Sequence, residues 1–341
     1  MAFEVNLAQA KEMVIDCLFA KLVPMVVGSP GMGKSAIIKQ IAKELNLKLI
    51  DLRLAQCDPT DLLGFPGVDE ETGKASYRPM DTFPLKGDKI PEGYDGWLIF
   101  LDEMNGADKD VQKACYKTIY DQMVGNVPLH ERCVIAAAGN LDTDNAIVEE
   151  LSTALQSRMI HMQVSIDNQQ WLDWASKNHI DFRVRAYVRW RPNNLFNFNP
   201  DHDDKTFACP RTWEFTSRLI RGKEKLEYTD KALLAGTVGE GVGREFAGFC
   251  DIIDQLPTIE SITRSPDTVA IPTEPSVQWA TAGMLGVHVT KDNATDLMKY
   301  ITRMPKEFQV FTLRDVVQKD VTMMDHDALA EWYSANSDEL F

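Results

Sequence analysis

The sequence predicts an α/β fold, in which helices cover a parallel sheet of five strands and a mostly helical region follows. The first observation behind this prediction is an apolar run at residues 23–27 that leads through a glycine-rich loop into an amphipathic helix. The second is an apolar run at residues 97–101 that ends in two acidic residues. The third is the change of pattern after residue 168, where helical periodicity predominates.

Each element of the predicted sheet follows from a short apolar run. The five strands are expected at residues 23–27, 47–52, 97–101, 133–138 and 159–165. The helices around them are expected at residues 6–21, 34–45, 109–122 and 149–158. Because parallel strands need crossover connections, this order predicts βαβ units.

The composition narrows the class of protein. The chain has 341 residues, of which 44% are hydrophobic and 26% charged, as in ordinary folded proteins. The net charge of −15 opposes nonspecific binding to nucleic acid, which depends on neutralising phosphates. Six scattered cysteines without a Cys-x-x-Cys pair predict a reducing, cytoplasmic location and no zinc site. No apolar run is long enough to predict a transmembrane span.

The glycine-rich loop carries the strongest signal for function. It matches the pattern G-x-x-x-x-G-K-[ST] at Gly28, Gly33, Lys34 and Ser35. Glycines let the main chain curl so that N–H groups point at phosphate oxygens, and the following helix adds its positive end. Lys34 is expected to reach the β- and γ-phosphates of ATP, and the Ser35 hydroxyl to bind Mg²⁺. The residues predicted to bind the nucleotide here are Gly28, Ser29, Pro30, Gly31, Met32, Gly33, Lys34, Ser35 and Ala36.

Two carboxylates end the apolar run at residues 97–101. The run predicts a strand in the middle of the sheet, so that its carboxyl end faces the nucleotide crevice. Asp102 is therefore expected to bind Mg²⁺ together with Ser35, directly or through water. Glu103 is expected to accept the proton of the attacking water, the role of a general base.

Three further polar residues stand where hydrolysis of ATP would use them. Asn140 ends a predicted strand, and its neutral amide could hold the attacking water or the γ-phosphate. Arg158 closes a predicted helix and could complete the site of a neighbouring subunit, stabilising the charge of the transferring phosphate. Arg211 follows Pro210 at the start of a helix and could touch the γ-phosphate in its own subunit.

These motifs, in this order and spacing, resemble those of AAA+ ATPases and are most similar to the MoxR branch. The glycine loop and the acidic strand end resemble Walker A and Walker B, while Asn140, Arg158 and Arg211 resemble sensor 1, the arginine finger and sensor 2. The chain also resembles this branch at residues 61–64, 69–73, 78–79, 102–105 and 122–129. The resemblance covers residues 4–220 well and extends loosely to 257. Two features depart from it: Ser35 replaces the more frequent threonine, and the stretch before sensor 2 is long.

The resemblance implies an activity, an assembly and a domain organisation. Residues 1–168 would form the nucleotide-binding core with a P-loop NTPase fold, residues 169–257 linker helices and a helical lid, and residues 258–341 a helical C-terminal region that could dock a partner. Relatives in this branch form homo-oligomers, generally hexameric rings, that remodel protein partners like chaperones. They often work with a protein that carries a von Willebrand A domain. ATP and Mg²⁺ are the implied cofactors.

Three other functions stay open on the sequence, the weakest being a metabolic P-loop kinase, which would need neither an arginine from a neighbour nor a helical lid. The ring could use ATP only to assemble, as a nucleotide-gated module with little turnover. Alternatively, it could be a nucleic-acid motor, since a basic run with interleaved aromatic residues could follow a phosphate backbone. That run consists of Arg183, Arg185, Tyr187, Arg189, Trp190 and Arg191. In an acidic protein, a helix whose arginines pair with the chain's own carboxylates is the favoured interpretation, so nucleic acid is not expected as a partner.

Overall fold

The fold is described by a computed structural model that covers residues 4–68, 70–71, 73–141, 144, 149–199, 204–252 and 256–336. Its contacts divide the chain into two compact units. The first unit contains residues 1–167 and 199–201, and the second contains residues 168–198 and 202–341. The further division at residue 257 stays a prediction.

A six-stranded parallel sheet forms the centre of the first unit, in the order β1-β10-β2-β9-β6-β3. Two short antiparallel hairpins, β4–β5 and β7–β8, accompany it. The strands are β1 Glu4–Val5, β2 Val23–Val27, β3 Leu47–Arg53, β4 Phe65–Val68, β5 Ala75–Arg78, β6 Gly96–Asp102, β7 Met123–Val124, β8 Val127–Pro128, β9 Cys133–Gly139 and β10 Met159–Val164. Asp69 and Thr72, in the predicted turn of the first hairpin, lie outside the described residues.

The predicted fold class is confirmed, and all five predicted strands are present within about one residue of their expected ends. The predicted strand count was one too low, because β1 adds a sixth strand at the edge beside β10. A strand of two residues is too short to show any periodicity, so no pattern in the sequence predicted it. β6 lies between β9 and β3, and its side chains are buried from Gly96 to Leu101, as expected for a central strand.

Helices of the first unit connect these strands. They are α1 Leu7–Phe19, α2 Lys34–Glu44, α3 Pro59–Leu63, α4 Lys109–Tyr116 and α5 Thr153–Gln156. α1 begins with a capping box, in which Asn6 and Gln9 each accept a hydrogen bond from the other's main-chain N–H. α4 continues into a π-helical turn at Lys117–Asp121.

The helix predicted at residues 149–158 is wrong in its extent, because only α5 is helical there. Ser152 is the N-cap, with its side-chain oxygen accepting from the Leu155 N–H, so the helix begins after it. The Glu149 N–H donates to the Asn105 carbonyl at 2.7 Å, a tertiary contact that holds residue 149 in the segment before α5.

The second unit is helical throughout its described elements. Its helices are α6 Asn168–Lys177, α7 Phe182–Trp190, α8 Pro210–Ile220, α9 Tyr228–Val238, α10 Glu240–Ile252, α11 Ile259–Arg264, α12 Pro275–His288, α13 Ala294–Ile301, α14 Lys306–Lys319 and α15 Asp327–Ala335. The helix predicted at residues 169–192 is divided into α6 and α7, and His179 between them has a left-handed φ of 55°.

The helices from α11 to α15 share one core with α7. Phe182 and Trp190 pack against the hydrophobic cluster that is built mainly from α12 to α15. A side chain on Gly283 of α12 would come within 3.0 Å of the Ala186 Cβ on α7, so the two helices approach closely. No helix in the described part of the chain is long and apolar enough to span a membrane.

Candidate nucleotide-binding site

The glycine-rich loop joins β2 to α2 at the carboxyl end of the parallel sheet. Gly31 and Gly33 have φ of 79° and 105°, a region that favours glycine because a Cβ there is strained. Gly28 is needed for another reason: a Cβ would lie 2.4 Å from a methyl carbon of Val164. Gly33 is the N-cap of α2 without a side-chain cap bond, so the N–H groups at the start of α2 are directed towards the loop.

Lys34 connects this loop to the end of β9. Its side chain is buried at 7% exposure, and its ammonium donates to the carbonyls of Gly28 and Ser29, the latter at 3.0 Å. The same Nζ donates to Asn140 Oδ1 at 3.1 Å. The predicted phosphate-binding lysine and the predicted sensor amide are therefore in direct contact.

Ser35 and Asp102 meet across the crevice. The Ser35 hydroxyl donates to Asp102 Oδ2 at 2.7 Å, although the residues are 67 positions apart. Asp102 is the last residue of β6, and its Oδ1 accepts the Glu103 main-chain N–H at 2.9 Å. A hydroxyl and a carboxylate are hard oxygen donors, so this pair fits Mg²⁺. Among the described residues, no group of three or more His, Cys, Asp or Glu offers an alternative metal site.

Glu103 follows in an unusual backbone conformation. Its φ is 56°, in the left-handed region that a non-glycine residue rarely adopts. Such positions persist where the surroundings hold them, and they are concentrated at functional sites. The turn Met104–Gly106 comes next and leads the chain away from the sheet.

Asn105 in that turn was not among the predicted site residues. Its Nδ2 donates to the Asn140 carbonyl at 2.7 Å, and its Oδ1 accepts the Asn140 N–H at 2.9 Å. Asn105 is 5% exposed, so the pair of bonds is shielded from water. The run Asp102–Asn105 resembled a family motif, but nothing in the sequence placed the fourth residue against Asn140.

Ser29 and Asp144 form a second contact that sequence reasoning missed. The Ser29 hydroxyl donates to Asp144 Oδ1 at 3.1 Å, and both residues are buried. Asp144 Oδ2 is buried and has no hydrogen-bond partner among the residues that the structure describes. This contact ties the glycine-rich loop to the segment after β9.

Arg158 lies away from the phosphate loop of its own chain. It immediately precedes β10, whose first residue Met159 is in register with Val23, the first residue of β2. The glycine loop starts after the other end of β2, at Val27. Since strands rise by about 3.3 Å per residue, roughly 16 Å of sheet separates the two positions.

Contacts with α5, α4 and the π-helical turn hold the Arg158 side chain. Its Nη1 donates to the Ala154 carbonyl at 2.6 Å, and its guanidinium carbon lies 4.6 Å from the centre of the Tyr120 ring. The Tyr116 ring is 5.9 Å away. Arg158 Nε is buried without a hydrogen-bond partner in the described part of the chain.

The other predicted nucleotide-binding residues fall into two places. Pro30, Met32 and Ala36 lie in the glycine loop and the first turn of α2, where Met32 is buried and Ala36 exposed. Arg211 belongs to the second unit, where it is an exposed residue in the first turn of α8. Its role as sensor 2 stays a prediction.

The basic run on α7 is largely internal. Arg183 pairs with Asp181 and also donates to two carbonyls, and Arg185 pairs with Asp315; both ion pairs are buried. Tyr187 is completely buried. These three side chains are therefore not available to a phosphate backbone, in agreement with the favoured interpretation of this run.

Comparisons with known proteins agree with this geometry. Residues 24–165 match the family model described as "ATPase family associated with various cellular activities (AAA)", a match that extends from β2 to β10. With the sheet order and the glycine loop, this match identifies the fold of the first unit as that of an AAA P-loop NTPase. It supports nucleotide binding and ATPase activity in general. A search of curated proteins found no match.

Similar solved structures include the NtrX protein of Brucella abortus, at 13% identity and a TM-score of 0.41, with 98% of this chain and 69% of that chain covered. NtrX in complex with ADP gives 14% identity, a TM-score of 0.41, and coverage of 96% and 67%. A candidate ATPase from Cytophaga hutchinsonii gives 13% identity, a TM-score of 0.36, and coverage of 96% and 87%. Similarities of this size carry no conclusion about function.

Proposed function

We propose that this protein hydrolyses ATP, with Mg²⁺, at the interfaces between copies in a ring and uses the energy to remodel a protein partner. One observation carries the proposal: hydrogen bonds join Lys34 to Asn140 and Ser35 to Asp102 at the carboxyl ends of three adjacent strands. That edge of a parallel sheet is where α/β folds bind ligands.

The phosphate loop supplies the binding energy for the triphosphate. The curled main chain at Gly31 and Gly33 and the start of α2 offer N–H groups and a positive dipole to phosphate oxygens. The buried Lys34 ammonium adds a full positive charge. Ser35 and Asp102 would hold Mg²⁺, whose charge offsets the charge that develops on the transferred phosphate.

Glu103 and Asn140 would act on the attacking water in two different ways. Glu103 follows the metal-binding carboxylate directly and would accept a proton from the water. Asn140, already in contact with Lys34 at 3.1 Å, would orient the water or the γ-phosphate through its neutral amide. Arg211 is proposed to read the γ-phosphate from the helical unit.

Arg158 is proposed to act on the nucleotide of a neighbouring copy. The strand register places it about 16 Å from its own glycine loop, too far for its side chain to reach phosphates there. Hydrolysis would then require assembly, which fits the hexameric ring that the family resemblance implies.

Partner contacts would come from the hairpin β4–β5. Phe65 and Val68 are 56% and 60% exposed there, and Tyr77 is 44% exposed on the facing strand. Val68 and Tyr77 lie on one face of this two-stranded hairpin and Phe65 on the other, so both faces offer an exposed apolar side chain to a protein partner. A partner with a von Willebrand A domain is the expectation that the resemblance carries.

The decisive experiment combines two variants. Glu103→Gln should bind ATP as tightly as the unchanged protein and release no phosphate, because only the proton acceptor is lost. Arg158→Ala should also bind ATP but hydrolyse it only at a small residual rate, because the neighbouring site lacks its arginine. Each variant is measured alone for ATP binding and for phosphate release.

Mixing the two variants tests the assignment between subunits. An Arg158→Ala copy keeps its own Glu103 and can receive Arg158 from a Glu103→Gln neighbour, so phosphate release should return in the mixture. Normal turnover by Glu103→Gln alone would contradict the role of the base. Failure of the mixture to recover would place Arg158 in its own site or outside catalysis.

A further inference from the structure

Asn105 provides a connection that the proposed mechanism does not yet use. Its side-chain amide forms two hydrogen bonds to one main-chain residue, donating to the Asn140 carbonyl and accepting the Asn140 N–H. Because an N–H must face the carbonyl and an oxygen must face the N–H, the partners fix the orientation of the amide. The side chain therefore substitutes for a strand neighbour.

The position of this contact in the sheet explains why it is needed. The parallel ladder between β6 and β9 ends with the pair Leu101 and Ala137. Asn140 comes three residues later, where β6 has already turned away at Glu103. The amide of Asn105 extends the connection between the two strands past the end of the ladder.

The space around Gly139 shows that the Asn105 side chain lies very close to the main chain at the end of β9. A Cβ at this position would come within 2.4 Å of Asn105 Oδ1 and 2.7 Å of the Met25 terminal methyl. Cβ contacts under 3.0 Å are essentially never found, so a side chain here would force Asn105 or Met25 to shift. Gly139 is thus part of the same arrangement.

We infer that Asn105 is a positioning residue. By binding the main chain of Asn140, it fixes the side-chain amide of Asn140 relative to the loop that carries Glu103. The chain of contacts runs from Lys34 to the Asn140 side chain, and from the Asn140 main chain to Asn105, two residues after Glu103. Any change at the γ-phosphate that moves Asn140 would therefore reach the general base. This inference rests on the proposed ATPase function.

The test uses Asn105→Asp, which keeps the size of the side chain. Aspartate can accept the Asn140 N–H but has no N–H to give to the Asn140 carbonyl. We expect kcat for ATP to fall about 10- to 100-fold, because small displacements of catalytic groups cost this much. The affinity for ATP should stay close to that of the unchanged protein, since the glycine loop and α2 are not altered.

A double-variant cycle with Asn140→Ala separates positioning from a general loss of structure. If Asn105 acts by placing the Asn140 amide, adding Asn105→Asp to Asn140→Ala should lower kcat little further. If the two losses multiply, Asn105 does not act through Asn140 and the inference is wrong.

Gln112→Met is the matched control. Gln112 is equally buried and holds the same loop, donating to the Ala107 carbonyl at 3.1 Å and to the Glu149 carbonyl at 3.4 Å, but it does not contact Asn140. Its turnover should remain close to normal. If Gln112→Met lowers turnover as much as Asn105→Asp does, then Asn105 only supports the structure of the loop.

Gly139→Ala gives the same test from the other side, and it decides the matter if Asn105→Asp does not fold. Its Cβ should displace the Asn105 amide and lower kcat without weakening ATP binding. If the original protein hydrolyses ATP and these variants hydrolyse it at the same rate, the inference is wrong but the proposed function stands. Absence of turnover in the unchanged protein would overturn the proposed function, and the inference with it.

Discussion

Glu103 combines a strained backbone with the side chain that is proposed to act as the general base. A left-handed conformation costs a non-glycine residue roughly 1–2 kcal/mol, and Glu103 keeps it at φ 56°. Its N–H is bound by the Asp102 carboxylate at 2.9 Å, and Asn105 ties the following turn to β9, so contacts on both sides hold the conformation. The strain is the cost of placing a second carboxylate directly after the first at the end of one strand.

Tyr120 offers a prediction at the scale of a single side chain. Its ring is 66% exposed, and one face of it supports the Arg158 guanidinium at 4.6 Å. A cation–π contact at an exposed site contributes about 0.5–1 kcal/mol, so Tyr120→Ala should lower ATP turnover by about 2- to 5-fold. Tyr120→Phe keeps the ring and should behave like the unchanged protein in the same phosphate-release assay.

The Arg158→Ala background provides the control for Tyr120. With the guanidinium absent, Tyr120→Ala should have no additional effect on the remaining turnover. An equal loss in both backgrounds, or a similar loss in Tyr120→Phe, would show that Tyr120 does not act through Arg158.

The sequence indicated the residues of the site that belong to local motifs. Lys34, Ser35 and Asp102 could be named because the loop and the strand end each place their polar groups within a few residues. The contacts from Asn105 to Asn140 and from Ser29 to Asp144 could not, because they join positions 35 and 115 residues apart. Such pairs depend on which strands become neighbours, and strand order is not encoded in any one segment.

At the scale of elements, prediction succeeded where an apolar run was long enough. β2, β6, β9 and β10 each bury three or more side chains, and in β3 the apolar residues are buried or half-buried while the charged ones are exposed, which gives a readable pattern. β1 has two residues and α5 has four, so neither shows a period. α6 and α7 were predicted as one helix because the break at His179 contains neither proline nor glycine.

A buried ion pair joins α7 to α14 and gives a prediction about stability. Arg185 and Asp315 are each 8% exposed, and Ser176 donates to the same carboxylate oxygen at 2.9 Å. Asp315→Ala should lower the free energy of unfolding by about 3–5 kcal/mol, because it leaves the Arg185 charge buried without its partner. Urea denaturation, followed by tryptophan fluorescence, would measure this loss.

The double variant Arg185→Met, Asp315→Leu is the control for that ion pair. It removes both charges and keeps apolar volume in the core, so it should be much more stable than Asp315→Ala. If the single variant loses no stability, the pair is not buried as described. If the double variant loses much stability and Asp315→Ala does not, the loss comes from a packing defect.

At the scale of the whole molecule, the net charge of −15 opposes the proposed assembly of identical copies. Like charges on neighbouring subunits repel each other, and dissolved salt screens this repulsion. The Debye length falls from about 14 Å to about 6 Å between about 0.05 M and about 0.3 M salt, so the repulsion weakens over that range.

We therefore expect the oligomer of the Glu103→Gln variant with ATP to gain stability when sodium chloride rises from about 0.05 M to about 0.3 M. Sedimentation velocity at several protein concentrations would show the shift towards the larger species. ATP occupancy, measured on the same samples, controls for a loss of nucleotide at high salt. Dissociation of the oligomer with rising salt, at constant ATP occupancy, would mean that ion pairs across the interface outweigh the repulsion between the acidic copies. In that case the Arg158 side of one copy and the carboxylates around the nucleotide site of the next would be the first charges to replace.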